Sequence, residues 1–127
     1  MIGVTVKKIE PVHSDERGVI TDILNENLGH VGIITCKKGS SRANHYHKKS
    51  IQYSYILSGK FEVLVAHSKD TKKIERTILN TGEIMTIQPE IVHTFNAIED
   101  SVMLDMISQS RSGTGYEDDV VKGIFLE

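Results

Sequence analysis

Residues 42–52 read RANHYHKKSIQ and gather side chains that can do chemistry: Arg42, His45, His47 and Gln52. Neutral imidazoles bind divalent ions, and near neutrality they also take up and release protons. An arginine fork suits phosphate or an oxyanion. The bland alternative is that these residues are only hydrogen-bonded polar groups of a strand. His45 and His47 are separated by one residue, so on an extended strand both rings point to one face while Tyr46 points to the other. A third histidine, His93, follows much later, four residues after Pro89.

Something must hold these groups together, and the surrounding chain has the pattern of strands. Alternating or short apolar runs lie over 3–9, 19–24, 31–37, 51–57, 60–67, 73–79, 84–88, 92–97 and 102–108. Gly59, the polar run 68–73 and the Asn80-Thr81-Gly82 triplet separate them as turns. Helical spacing is hard to find except around 25–29, which is expected to form one short turn. The fold class is therefore all-β, a sandwich or barrel whose interior holds the ligand. At 127 residues, one domain over 1–127 is expected, without repeats, low-complexity segments or a linker.

Composition excludes several function classes. Fifteen basic residues against 17 acidic ones give a net charge of -2, and the sequence pI is about 6.3. The basic residues are scattered, so no nucleic-acid partner is expected. No stretch approaches the roughly 20 apolar residues of a membrane span, and no cleavable leader pattern opens the chain. Cys36 is the only cysteine, which rules out an internal disulfide and fits a reducing compartment. A cytoplasmic protein is expected, with Cys36 as a small buried strand residue. The tail 110–127 is loosened by Gly113 and Gly115 and ends on Ile124, Phe125 and Leu126. Such an apolar end is expected to dock, with a partner subunit in a homodimer as the candidate.

Two glycine-to-histidine spacings carry a family resemblance. Gly39 is followed after five residues by His45-Tyr46-His47, then after four by Gln52 and after six by Gly59; Gly82 is followed after ten by His93. This two-part pattern over 39–96 resembles the cupins and implies a single-domain jelly roll, the double-stranded β-helix. In metal-binding cupins the equivalents of His45, His47 and His93, with a glutamate at the position of Gln52, hold a divalent ion such as Zn, Ni, Fe or Mn. Here the amide of Gln52 brings no negative charge.

A narrower resemblance spans 13 to about 108. HSDERGVITDIL (13–24) is similar to the D-x-RG segment of dTDP-4-dehydrorhamnose 3,5-epimerases and the related dTDP-sugar 3,4-ketoisomerases, a segment that also reads as a hairpin turn. CKKGSSRANHYHKKSIQYSYILSGK (36–60) resembles the ketoisomerase stretch in which KKG leads to an arginine, HxHKK and a glutamine. PEIVHTF (89–95) has that family's proline-to-histidine arrangement. The resemblance implies an isomerase or epimerase of a nucleotide-linked 4-keto-6-deoxysugar in surface polysaccharide biosynthesis. His45 and His47 would be its acid–base residues, and Arg17, Arg42 and Gln52 would bind substrate, with no metal required. This chain has Ala43-Asn44 where the family has Gly-Phe or Gly-Leu, and aliphatic VGIIT where the ketoisomerases are aromatic, so a tyrosine expected there has no bearer. GYEDD (115–119) loosely resembles their acidic, tyrosine-containing tail. The alternative is a divalent-metal cupin, with His45, His47, Gln52 and His93 as ligands, acting as a dioxygenase or a non-catalytic small-molecule binder.

Overall fold

The structure is a computed structural model in which residues 1–123 are described. Twelve strands and one short helix follow one another: β1 Val4–Lys8, β2 His13–Asp15, β3 Gly18–Ile20, β4 His30–Cys36, β5 Ser41–His47, β6 Gln52–Ser58, β7 Lys60–His67, β8 Glu75–Asn80, β9 Glu83–Ile87, β10 Ile91–Ala97, β11 Ser101–Ile107, α1 Gly115–Asp119 and β12 Val120–Lys122. Two antiparallel five-stranded sheets, ordered β1-β9-β6-β11-β4 and β12-β5-β10-β7-β8, make the jelly roll expected from the sequence, and β2-β3 is a separate hairpin.

Period-two alternation decides which side chains face the space between the sheets. On β7, Phe61, Val63 and Val65 enter the main core with Ile56, Leu79, Met85, Ile87, Phe95 and Met103. Leu64 and Ala66 point the opposite way and pack with Val92 and Tyr46. Burying apolar surface on both faces in this way is the chief driving force for closing the fold. Gly59 alone connects β6 to β7; its φ is +89, and a Cβ there would run into Ser101. Cys36 is buried at the end of β4, as expected.

Two expectations are corrected. The strand predicted over 19–24 stops at Ile20, and the helical turn predicted around 25–29 does not form. Residues 21–29 run irregularly across the outer face of the first sheet, where Ile23, Leu24 and Leu28 pack on Tyr53, Ile84 and Met106. So short a segment cannot repay helix nucleation, and tertiary contacts determine its path. The sequence pattern also missed β5, whose polar residues show no apolar alternation, and α1 and β12, whose few residues carry too little periodicity to read. The apolar end at Ile124, Phe125 and Leu126, for which a partner contact was expected, lies outside the described residues. Among the described residues no helix is long and apolar enough to cross a membrane.

Candidate functional site

The site begins with an irregularity in β5. Against β10, His45 pairs with His93 and Ala43 with Thr94, so Asn44 is an extra residue, a bulge. Ala43 and Asn44 both take the left-handed conformation, with φ of 74 and 61. Asparagine tolerates this region; alanine does so at a cost of about 1–2 kcal/mol. Beyond the bulge, His45 and His47 face inward while Tyr46 packs outward. β12 then lies on the free edge of β5, setting Val120 against His47 and Lys122 against His45.

Three imidazoles converge. Ring centroids are 4.8 Å apart for His45 and His93, 5.2 Å for His45 and His47, and 5.8 Å for His47 and His93. His47 Nδ1 lies 2.8 Å from Asp119 Oδ2, and Nε2 lies 3.0 Å from Gln52 Oε1. The carboxylate can only accept, so the proton on Nδ1 is assigned by its partner. Nε2 is thereby left to the Gln52 amide, which meets it as an acceptor or, turned over, as a donor. Gln52 in turn bonds Ser54 Oγ at 3.0 Å.

The buried carboxylate of Asp119 is itself braced by the amides of Lys49 and Ser50, at 2.8 and 3.2 Å. Burial alone would raise its carboxyl, but hydrogen bonds from Ser50, His47 and Lys49 outweigh burial and hold it below the usual range. His93 donates Nδ1–H to Ile91 O at 2.9 Å, leaving Nε2 buried without a partner among the described residues. Burial, helped by the other histidines, keeps His93 well below an ordinary histidine. His45 is lowered to about 4, first by burial and then by His47, Lys122 and Arg111. Both rings are therefore neutral at pH 7.

A cavity of about 260 Å³ opens beside these groups. Arg42, His45, His47 and Gln52 line it, against an apolar wall of Ile34, Phe95, Met103 and Ile107. Arg42 Nη2 donates to Thr35 O at 3.1 Å. His93 sits behind His45, in the ring cluster rather than on the wall. Arg17 is not brought to the cavity: it lies in the turn between β2 and β3, with its guanidinium 2.6 Å from Asp15 Oδ2.

Four residues at the site escaped the sequence reading. Asp119 braces His47, and Tyr116 and Arg111 line the cavity, with Arg111 stacked 4.1 Å over the Tyr116 ring. Tyr116 and Asp119 lie in the GYEDD segment whose tyrosine and acidic residues were noted, but a fold-back onto β5 is not legible in five residues. Asp105, the fourth, interrupts the apolar run VMLDMI of β11, a signal that could have been read. Burial raises its carboxyl, while His47, His30 and Arg111 pull the other way.

As for metal, the candidate ligand atoms of His45, His47 and His93 lie within 4.8 Å of one another. His93 offers a free lone pair, but both nitrogens of His47 are already hydrogen-bonded and Gln52 supplies no charge. The cluster fits an ion only with Gln52 rotated away from His47.

The sequence profile of the family described as polysaccharide biosynthesis C-terminal domain matches residues 13–119. No curated protein matches the chain. Among solved structures, a double mutant of the 3,4-ketoisomerase QdtA from Thermoanaerobacterium thermosaccharolyticum, in complex with TDP, is 23% identical with a TM-score of 0.78, covering 97% of this chain and 89% of that one. A histidine-to-asparagine mutant of QdtA in complex with TDP-4-keto-6-deoxyglucose is 21% identical with a TM-score of 0.77, at 97% and 89% coverage. A dTDP-4-dehydrorhamnose 3,5-epimerase from Sulfolobus tokodaii is 17% identical with a TM-score of 0.76, at 100% and 81% coverage. The likeness establishes the cupin jelly roll.

Proposed function

The chain belongs to the polysaccharide biosynthesis C-terminal domain family, and from that premise we propose that it is an enzyme isomerising or epimerising a nucleotide-linked 4-keto-6-deoxysugar. The observation that carries the reading is the His47–Asp119 pair, 2.8 Å long and buried, with His47 facing a cavity that His45 and Arg42 share. The complexes of similar folds with TDP and with TDP-4-keto-6-deoxyglucose support the substrate class.

The chemistry follows from the proton count. Shifting a ketone between neighbouring sugar carbons moves one proton from carbon to carbon and one from hydroxyl to the old carbonyl oxygen, with no net gain or loss. A base removes the C–H beside the ketone, the electrons pass into the carbonyl to make an enediolate, and the proton returns on the adjacent carbon. Asp119 holds His47 by Nδ1, so Nε2 is the nitrogen that exchanges this proton once Gln52 yields to substrate. His45, neutral at pH 7, takes up the hydroxyl proton. Arg42 offers its fork to the oxyanion or a phosphate oxygen. At about 260 Å³ the cavity is smaller than the roughly 300–1,000 Å³ of drug-sized pockets, so the sugar enters and the nucleotide lies outside. Arg17 contacts the nucleotide in this reading. A second copy of the chain is the expected partner, supported by Val19 and Ile20, which stand 58% and 57% exposed on the hairpin that carries Arg17.

The convergence of three imidazoles favours a second reading, a divalent-metal cupin with His45, His47 and His93 as ligands and Gln52 as a neutral fourth. The ion would polarise a bound carbonyl as a Lewis acid. One experiment separates the two: exchange of sugar C–H protons with D2O across a panel of 4-keto-6-deoxysugar nucleotides, with and without a chelator. Exchange that survives chelation and falls by about 10²–10⁴-fold in His47→Asn is the expected result. Exchange abolished by the chelator selects the metal reading, and no exchange on any panel member defeats the isomerase.

A further inference from the structure

We infer that Asp105 is a specificity-determining residue of this cavity, accepting a hydrogen bond from a hydroxyl of the sugar ring. The inference rests on the nucleotide-sugar reading above and deepens it.

The argument begins with a misfit between residue and place. The inner face of β11 carries Met103, Asp105 and Ile107, and all three line the cavity. The first and third are the apolar residues that the centre of a sheet calls for. Asp105 is only 6% exposed, and its Oδ1 has no hydrogen-bond partner among the described residues. A carboxylate oxygen withdrawn from water without a partner destabilises the fold, and leucine or methionine would serve packing better.

The neighbours make room for something at that oxygen. Across the ladder, Asp105 stands between Gly32 of β4 and Ser54 of β6, the smallest pair flanking any inner position of β11. Met103 by contrast lies between Ile34 and Ile56. The result is a polar notch in an otherwise apolar wall. The nearby polar groups do not pair with that oxygen: Ser54 Oγ accepts from Gln52 Nε2, while Arg111 stacks on Tyr116 and reaches His30 Nε2 at 3.4 Å.

Placement then determines what the notch recognises. His45 and His47 belong to β5 in one sheet and Asp105 to β11 in the other, and all three line one cavity, so a sugar within reach of the imidazoles also meets the carboxyl. A hydroxyl there donates a charge-assisted hydrogen bond. An analogue lacking it, or carrying it with the other stereochemistry, leaves the buried oxygen unpaired and is rejected.

The test measures binding of two probes, TDP and TDP-glucose, by calorimetry to the full chain and to Asp105→Leu and Asp105→Asn, with the thermal midpoint of each. Asp105→Leu is expected to bind TDP within twofold of the parent, to bind TDP-glucose at least tenfold more weakly, and to melt no lower. Asp105→Asn, which keeps an acceptor oxygen, recovers part of the TDP-glucose affinity. Unchanged TDP-glucose affinity in Asp105→Leu overturns the inference, as does an equal loss for both probes with a lowered midpoint, which would mark a structural role. A parent chain that binds neither probe removes the nucleotide-sugar reading, and this inference falls with it.

Discussion

His13–Asp15 and His47–Asp119 have nearly the same separation between ring and carboxylate, 3.0 and 2.8 Å, and almost nothing else in common. The first sits on the β2-β3 hairpin, with its side chains 55% and 22% exposed; the second joins the end of β5 to the end of α1 and is buried, at 4% and 7%. Asp15 is held at about 2, chiefly by the Arg17 guanidinium and then by His13. Water and salt screen that interaction, and an exposed pair holds its geometry weakly. Asp119 has no such solvent, and backbone amides lock its carboxylate in place. Distance alone does not distinguish the two histidine–carboxylate pairs; burial and a braced carboxylate do.

The contrast predicts unequal consequences for one chemical change. Asp119→Asn keeps the shape but lets an amide donate to His47, favouring the wrong tautomer. Sugar C–H exchange is expected to fall by roughly 10²-fold or more, with a stability loss of about 1–3 kcal/mol by chemical denaturation. If activity survives, the buried pair is only structural and the two pairs are alike after all.

A medium effect is expected from pH. His45 and His93 are held below the ordinary histidine value of 6.5, His45 at about 4. As pH falls the unfolded chain takes up these protons before the folded one does, so stability is full above about 6.5 and drops through the window down to about 4. Thermal midpoints measured across that window should decline, and His45→Gln should make the decline shallower. A flat profile would mean that the rings are not kept neutral by burial.

The smallest effect is expected at the hairpin. Asp15→Asn should leave the thermal midpoint unchanged within error at moderate salt, and exchange unchanged as well. A clear loss of sugar-nucleotide turnover in this variant would mean that Asp15 positions Arg17 against the nucleotide.

The β-strand ladder was largely legible, because an inward-outward alternation such as Phe61, Val63 and Val65 states which face is buried. The same logic placed His45 and His47 on one face. It failed over 21–29, where apolar residues without a period pack as an irregular cover, at β5, whose polar SRANHYH has no apolar alternation, and at α1 and β12, where few residues announce structure. Asp105 was visible as a charge in an apolar run, but its significance needed Gly32 and Ser54 beside it.

Residue order alone determined that this chain is a β protein with histidines aligned on one strand, since side-chain direction on a strand follows from local geometry. Only the tertiary structure decided which partners those histidines have. Asp119 stands 72 positions from His47, and Arg17, close in sequence to neither, stays on its own hairpin. Such pairings depend on how two sheets close and where a tail folds back, which no local pattern encodes.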